Sequence, residues 1–243
     1  MQNNLLVNIQ NLDKYFPIGR GKFQALKQID LQIREGEFSG IVGPSGSGKT
    51  TLLNIIGSLD SQSSGSVTTL GYDIEQLSNA ESAHLRSQKI GFIFQTYNLL
   101  PLYTVYENVE FPLLLLKMSK KQRQQAVLEA LDWLGLRDKA NSKPAQLSGG
   151  ECQRTAIARA MVKKPQLVLA DEPTANLDAE NSHNILQMMQ KLNRDLQTTF
   201  LFSTHDEKVI EYLKRKITLK DGKIVNDEIA QAVSTDSSSE LKV

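Results

Sequence analysis

An apolar strand, a glycine-rich octet and an apolar helix follow one another without a break from Phe38 to Leu59, and this run constrains the fold more than any other. Phe38-Ser-Gly-Ile-Val42 reads as a short buried strand. Thr51 to Leu59 carries Leu52, Leu53, Ile55 and Ile56 and reads as a helix that Gly57 terminates. Between them Gly43, Pro44, Ser45, Gly46, Ser47, Gly48, Lys49 and Thr50 match the phosphate-loop spacing in full, in the strand-to-helix context that confirms it. The glycines let backbone N–H groups from Gly46 to Thr51 turn inward around the β- and γ-phosphates. The helix adds its positive end, Lys49 neutralises phosphate charge, and the Thr50 hydroxyl can ligate Mg²⁺. A chance Gly/Ser turn is a far poorer account of eight matched positions. The chain is therefore expected to bind a magnesium-bound nucleoside triphosphate, ATP before any other.

In an open parallel sheet, ligands bind at the carboxyl ends of the strands. Leu167 to Ala170 and Thr199 to Phe202 are continuous apolar runs, the signature of parallel strands covered on both faces. The first is followed by Asp171 and Glu172, and the second leads to His205; Gln95 follows a third short run, Ile90 to Phe94. On one rim with the phosphate loop, Asp171 would hold Mg²⁺ through water, and Glu172 could orient or deprotonate the attacking water. An acidic pair alone is usually a solvated strand end, and a lone histidine is usually a structural hydrogen-bonder. Four polar strand ends converging on one rim favour function. Leu147-Ser148-Gly149-Gly150-Glu151, just before a helix, can form a second anion-binding terminus. In isolation it would read as an ordinary Ser-Gly cap.

The rest of the chain is consistent with an α/β fold of one compact domain. Leu5, Val7 and Ile9 alternate, as do Ile29, Leu31 and Ile33, giving half-buried strands. Ser119 with Gln122 forms a capping box opening a helix that presents Val127, Leu128, Leu131 and Leu134 on one face and stops at Gly135. Arg137 to Pro144 reads as a polar linker, and Glu151 to Val162 as a helix turning Ala156, Ile157, Ala160 and Met161 inward. A further helix carries Ile185, Met188, Met189 and Leu192, and Ile217 to Val225 reads as a hairpin around Asp221-Gly222. Residues 229–243 are rich in Ser, Asp and Thr and are expected to be disordered. The 28 basic and 27 acidic side chains leave a net charge of +1, so no overall field attracts nucleic acid. A single cysteine, Cys152, excludes an internal disulfide framework. No apolar run approaches the ~20 residues of a spanning helix, the densest being Phe111 to Leu116.

Taken in chain order, Tyr15, the phosphate loop, Gln95, the LSGGE segment, Asp171-Glu172, Ala175-Asn-Leu-Asp178 and His205 resemble the nucleotide-binding subunits of ATP-binding cassette (ABC) transporters, over roughly Leu5 to Glu228. The resemblance implies a P-loop, RecA-like core (1–94 and 166–228) with a mostly parallel sheet, an N-terminal antiparallel β subdomain and an inserted α-helical lobe (95–165). It implies that Tyr15 stacks on adenine, that Gln95 contacts Mg²⁺ and the attacking water, that His205 contacts the γ-phosphate, and that Asp178 contacts the opposite subunit. It also explains two anion cradles: two copies pair head to tail, and Ser148, Gly149 and Gly150 of one cover the ATP held by the other.

The same resemblance implies an ATPase peripheral to the cytoplasmic side of the cell membrane, working with an integral membrane permease subunit and without nucleic acid. Thr96 to Val109, apolar and aromatic, would line the groove where that subunit inserts a coupling helix, with part of the segment given to lobe core. Gly57-Ser-Leu-Asp60, Leu85-Arg86, Gly91-Phe-Ile-Phe-Gln95 and Asn98-Leu-Leu-Pro101 are similar to the lipoprotein-release and macrolide-export group. A branch that transmits force to cell-envelope enzymes is the alternative. A soluble translation or repair ATPase fits poorly, because the chain has one cassette and only 51 residues separate Gln95 from Leu147. Cys152 stands where the family more often has Gln or Arg, and Ala175 where Ser or Gly is usual.

Overall fold

The structure is a computed structural model and describes residues 5–19 and 21–229. The first half contains β1 (Leu5–Ile18), β2 (Gly21–Arg34), β3 (Phe38–Val42), α1 (Lys49–Ile56), β4 (Ser64–Thr69), β5 (Tyr72–Asp73), α2 (Asn79–Lys89), β6 (Ile90–Ile93) and α3 (Val105–Glu110). The second contains α4 (Lys120–Trp133), α5 (Gly149–Met161), β7 (Leu167–Asp171), α6 (Ala179–Leu196), β8 (Thr199–Thr204), α7 (Glu207–Ile210), β9 (Arg215–Lys220) and β10 (Lys223–Ile229).

The strands form two sheets. An antiparallel sheet runs β2-β1-β4-β5, and a six-stranded sheet runs β10-β9-β3-β8-β7-β6. In the second, β9, β3, β8, β7 and β6 are mutually parallel and β10 alone is antiparallel, returning from β9. Both central turn residues of that hairpin, Asp221 and Gly222, have positive φ (50° and 78°), as a tight hairpin turn demands.

Strand alternation splits the interior into two cores. Phe38, Val168, Ala170, Phe200 and Phe202 face α3, α4, α5 and α6, while Ile41, Leu167, Leu169 and Leu201 face α1 and the antiparallel sheet. Successive strand residues point to opposite faces, so a strand covered on both sides must be apolar throughout. The rings of Phe38 and Phe202 lie 4.7 Å apart between centroids, and each of these fully buried aromatics contributes about 2–3 kcal/mol of burial free energy. The crossovers place the carboxyl ends of β3, β8, β7 and β6 on one rim.

Several expectations need correction in detail. On α4 the inward row is Val127, Ala130, Leu131 and Leu134, and Leu128 is only half-buried. The i, i+3, i+4, i+7 spacing reaches Ala130, whereas Leu128 sits about 100° around the helix. Met188 on α6, although at i+3 from Ile185, is half-buried, because the buried face is centred on Ile185, Leu186, Met189 and Leu192 and leaves it at the edge. The phosphate-loop helix begins at Lys49 and α5 at Gly149, both earlier than the apolar pattern suggests, because glycine and lysine carry no periodic signal. Arg137 to Pro144 is not a free linker: the carbonyls of Ser142 and Ala140 accept from Val105 and Tyr106 N–H at 2.8 and 2.9 Å, docking it on α3. Of the tail 229–243 expected to be disordered, Ile229 is the last residue of β10, and residues 230–243 lie outside the described residues.

Candidate nucleotide site

The loop between β3 and α1 is shaped by close backbone approach. A Cβ on Gly48 (φ 105°) would meet the Ala25 carbonyl oxygen at 2.8 Å, and one on Gly43 would meet that of Leu219 at 2.0 Å. Ser47 is locked from behind, its carbonyl accepting from Gly222 N–H at 3.1 Å. The N–H groups opening α1 have no intrahelical acceptors and form the positive end of the helix. Lys49 folds over the loop, its Nζ 2.8 Å from the Gly43 carbonyl and 3.1 Å from that of Pro44.

Ser45, Gly46, Gly48, Lys49, Thr50 and Thr51 line a cleft of about 460 Å³ together with Gln95, Asp171, Glu172 and His205. The strand ends separated in sequence thus share one cavity. Thr50 Oγ1 donates to Asp171, 3.0 and 3.2 Å from its two oxygens. These hard oxygen donors beside a phosphate cradle suit Mg²⁺, which keeps several waters and takes few protein ligands. Gly43, Pro44 and Ser47 do not line the cleft, and the buried Ser47 Oγ, on the back of the loop, has no partner among the described residues.

Glu172 lies one residue beyond β7 with φ 46°, a left-handed conformation that costs a non-glycine residue roughly 1–2 kcal/mol. Its N–H donates to the Ser203 carbonyl at 2.9 Å, extending the β7–β8 pairing by one step, and the turn then swings its carboxylate into the cleft. Oε1 is 2.6 Å from His205 Nδ1 and 3.8 Å from Lys49 Nζ, and Oε2 accepts from Thr204 Oγ1 at 3.1 Å. A strained carboxylate held by three neighbours and aimed at the loop lysine is well placed to orient or accept a proton from water.

The aromatic wall of the cleft corrects one expectation. Phe16 and Phe23, paired across β1 and β2, line it with Ala25, and Tyr15 does not. Adjacent strand residues point to opposite sides, so a strand that turns Phe16 towards the loop turns Tyr15 away. The Tyr15 backbone N–H is instead tied to Ser63 Oγ at 3.0 Å. Alternation along Lys14-Tyr15-Phe16 signals the choice, but the sequence does not say which member faces the loop.

The residues expected to act on a second nucleotide lie outside this cleft. Ser148 and Gly149 are exposed at the start of α5, and Asp178 is exposed at the start of α6. Ser148 Oγ accepts from Glu151 N–H at 3.2 Å while the Glu151 carboxylate accepts from Ser148 N–H at 2.8 Å, a complete capping box. Those bonds hold the Glu151 carboxyl below its ordinary range. The cap and the cradle are compatible, because Ser148 Oγ is an acceptor in the box and keeps its own hydrogen to donate. Asp178 caps α6, accepting from Asn181 N–H at 2.8 Å, and Gln95 is tied to the same loop through its carbonyl, 2.8 Å from Asn176 Nδ2. Burial raises the Cys152 thiol, with the nearby Glu151 charge adding to the effect, so this position is a poor nucleophile.

A protein-family model described as "ABC transporter" matches residues 26–175. The chain is 44% identical over 223 residues to the ABC transporter ATP-binding protein YvrO of Bacillus subtilis (strain 168), covering 92% of this chain and 97% of that protein. It is likewise 44% identical over 226 residues to the lipoprotein-releasing system ATP-binding protein LolD of Pseudoalteromonas translucida (strain TAC 125), covering 93% and 97%. Among solved structures, the ATP-binding cassette MJ0796, described as a dimer in a post-hydrolysis state bound to ADP and Pi, superposes with a TM-score of 0.86 at 43% identity, over 93% of this chain and 99% of that one. The cbiO1 subunit of Clostridium perfringens superposes at 0.84 with 28% identity, over 93% and 89%. This chain belongs to the ABC transporter family as one of its ATP-binding, ATP-hydrolysing cassettes.

Proposed function

We propose that this cassette supplies energy to a membrane export or extraction machine, closing as a head-to-tail pair of identical subunits on two ATP molecules. One observation carries this reading: the phosphate cleft and the Ser148–Gly150 turn are both built to meet anions, yet they do not share a cavity within the chain. A second copy turned head to tail would bring them together. The dimeric state of the 43%-identical cassette bound to ADP and Pi supports it.

Within each site, the loop N–H groups and Lys49 cradle the phosphates, and Phe16 with Phe23 receives the base. Thr50, Asp171 and Gln95 would hold Mg²⁺, which when bound offsets phosphate charge. Glu172 takes the proton of the attacking water while His205 steadies that carboxylate and reaches the γ-phosphate. Ser148, Gly149 and Gly150 of the partner close over the same phosphates, and Asp178 meets the opposite subunit.

No helix among the described residues is long and apolar enough to cross a membrane. We place the cassette on the cytoplasmic face, docked to an integral membrane subunit. Relatedness to a lipoprotein-releasing cassette favours a lipoprotein, macrolide or peptide cargo. Glu172→Gln is the direct test. It is expected to slow hydrolysis by roughly 10²–10⁴-fold, retain ATP binding and accumulate an ATP-dependent dimer on a sizing column. Undiminished turnover would remove Glu172 from the role of base.

A further inference from the structure

A lysine is seldom buried unless its charge is matched, and Lys14 on β1 is only 8% exposed. Its Nζ donates to Asp60 Oδ1 and to the Ser61 carbonyl, both at 2.6 Å. The same nitrogen lies 5.0 Å from the centroid of the Phe16 ring, inside the range of a cation–π contact. Phe16 lines the nucleotide cleft and Lys14 does not, so the ammonium backs the ring from the protein side.

Asp60 is itself tied to the phosphate loop. The helix that opens on that loop, α1, ends at Ile56, and the N–H groups of Leu59 and Asp60 both donate to the Asn54 carbonyl, at 2.8 and 3.3 Å. Asp60 Oδ1 also accepts from Ser61 N–H at 2.8 Å, which orients the carboxylate. A short chain of contacts thus runs from the phosphate-binding helix through Asn54, Asp60 and Lys14 to Phe16. Neighbouring bonds hold the strand: Tyr15 N–H meets Ser63 Oγ at 3.0 Å, and Ser63 N–H meets the Asp13 carbonyl at 2.9 Å. None of them touches the Phe16 ring, which is 36% exposed and has no hydrogen-bonding atom of its own.

We propose, resting on the reading that Phe16 receives the base, that Lys14 is a positioning residue for the nucleobase. Anchored on Asp60, it holds the Phe16 ring from behind in the orientation that meets the base, at a distance from the phosphate loop set by α1. It touches neither base nor phosphate. A ring ordered before the nucleotide arrives spares the complex the entropy of ordering it. An ammonium suits this task because it attracts one face of the ring and leaves the cleft side open.

The test compares ATP with inorganic triphosphate, which has the phosphates and no base, each titrated with Mg²⁺ into the full chain by calorimetry. Lys14→Met, checked for a native thermal melt, is expected to weaken ATP about fivefold, the scale of one partly desolvated cation–π contact. Triphosphate binding is expected to stay at the parent value. Lys14→Arg, which keeps a cation behind the ring, is expected to recover most of the ATP affinity. In a Phe16→Ala background, Lys14→Met is expected to cost nothing more, because its effect passes through the ring. Asp60→Asn, which weakens the anchor and keeps the lysine, is expected to show the same selective loss, and it stands in if Lys14→Met fails to fold. Equal loss of ATP and triphosphate would show Lys14 serving the phosphate loop through Asp60, and overturns the proposal. A loss that persists in full without the Phe16 ring overturns it too. Parent-like ATP affinity in Lys14→Met, with Phe16→Ala still weakened, overturns the proposal and leaves the base-facing role of Phe16 standing. If Phe16→Ala is also parent-like, both fall.

Discussion

Individual residues in the cleft are selected by what their immediate neighbours allow. Gly48 and Gly43 sit where a Cβ would strike the Ala25 and Leu219 carbonyls, and Glu172 accepts a strained φ so that its carboxylate can face Lys49. The choice between Tyr15 and Phe16 is finer, because both are aromatic and adjacent and the strand can turn only one towards the loop. Base stacking on an aromatic ring is worth about 1–3 kcal/mol. Phe16→Ala is therefore expected to weaken binding of a fluorescent ATP analogue by about tenfold, with Tyr15→Ala close to the parent. The reverse order would return the adenine-facing role to Tyr15.

At the scale of elements, a capping box makes a helix start legible in the sequence. Ser119 with Gln122 marks the start of α4 in the sequence and in the structure. The same signal, Ser78 with Glu81 and Thr104 with Glu107, marks α2 and α3, two helices that apolar periodicity alone does not reveal. Both are short and mostly polar, with Leu85 the one buried residue of α2. The segment from Thr96 to Val109 divides between a groove beside α2 and β6 and the lobe core. Asn98 and Leu100 line the groove, while Val105, Asn108 and Val109 are buried. Asn108 holds this segment in shape: its Oδ1 accepts from Leu100 N–H at 2.7 Å, and its Nδ2 lies 2.9–3.1 Å from the carbonyls of Thr104, Leu100 and Tyr103. Asn108→Ala would strand these buried groups and is expected to cost about 2–3 kcal/mol in chemical denaturation. A loss under about 0.5 kcal/mol would show that water replaces the amide.

The phosphate cleft and the Ser148 turn do not share a cavity within one chain, so the proposed unit of function is a pair. Mixing two variants tests this. In a head-to-tail dimer of Ser148→Arg with Lys49→Ala, one site joins the intact phosphate loop of the first to the intact Ser148 turn of the second. Each variant alone is expected to bind or turn over too poorly for steady hydrolysis, and mixing is expected to restore measurable ATPase activity. If mixing restores none while Ser148→Arg alone still hydrolyses ATP, the Ser148 turn does not act across a dimer.

The sequence by itself determined the phosphate loop, the buried parallel strands and the polar residues that follow them, because these are local patterns: a glycine spacing, an apolar run, a residue type at its end. It also determined that the Ser148 turn would cap a helix. Tertiary structure alone decided which aromatic lines the phosphate-loop cleft, that Glu172 lies between His205 and Lys49, and that Arg86, Arg159 and Lys163 share an apolar groove. Those outcomes depend on strand facing and on contacts between residues far apart in the chain, such as the 2.6 Å approach of His205 to Glu172. Local propensity carries no record of such contacts; they exist only once the sheet has ordered its strands.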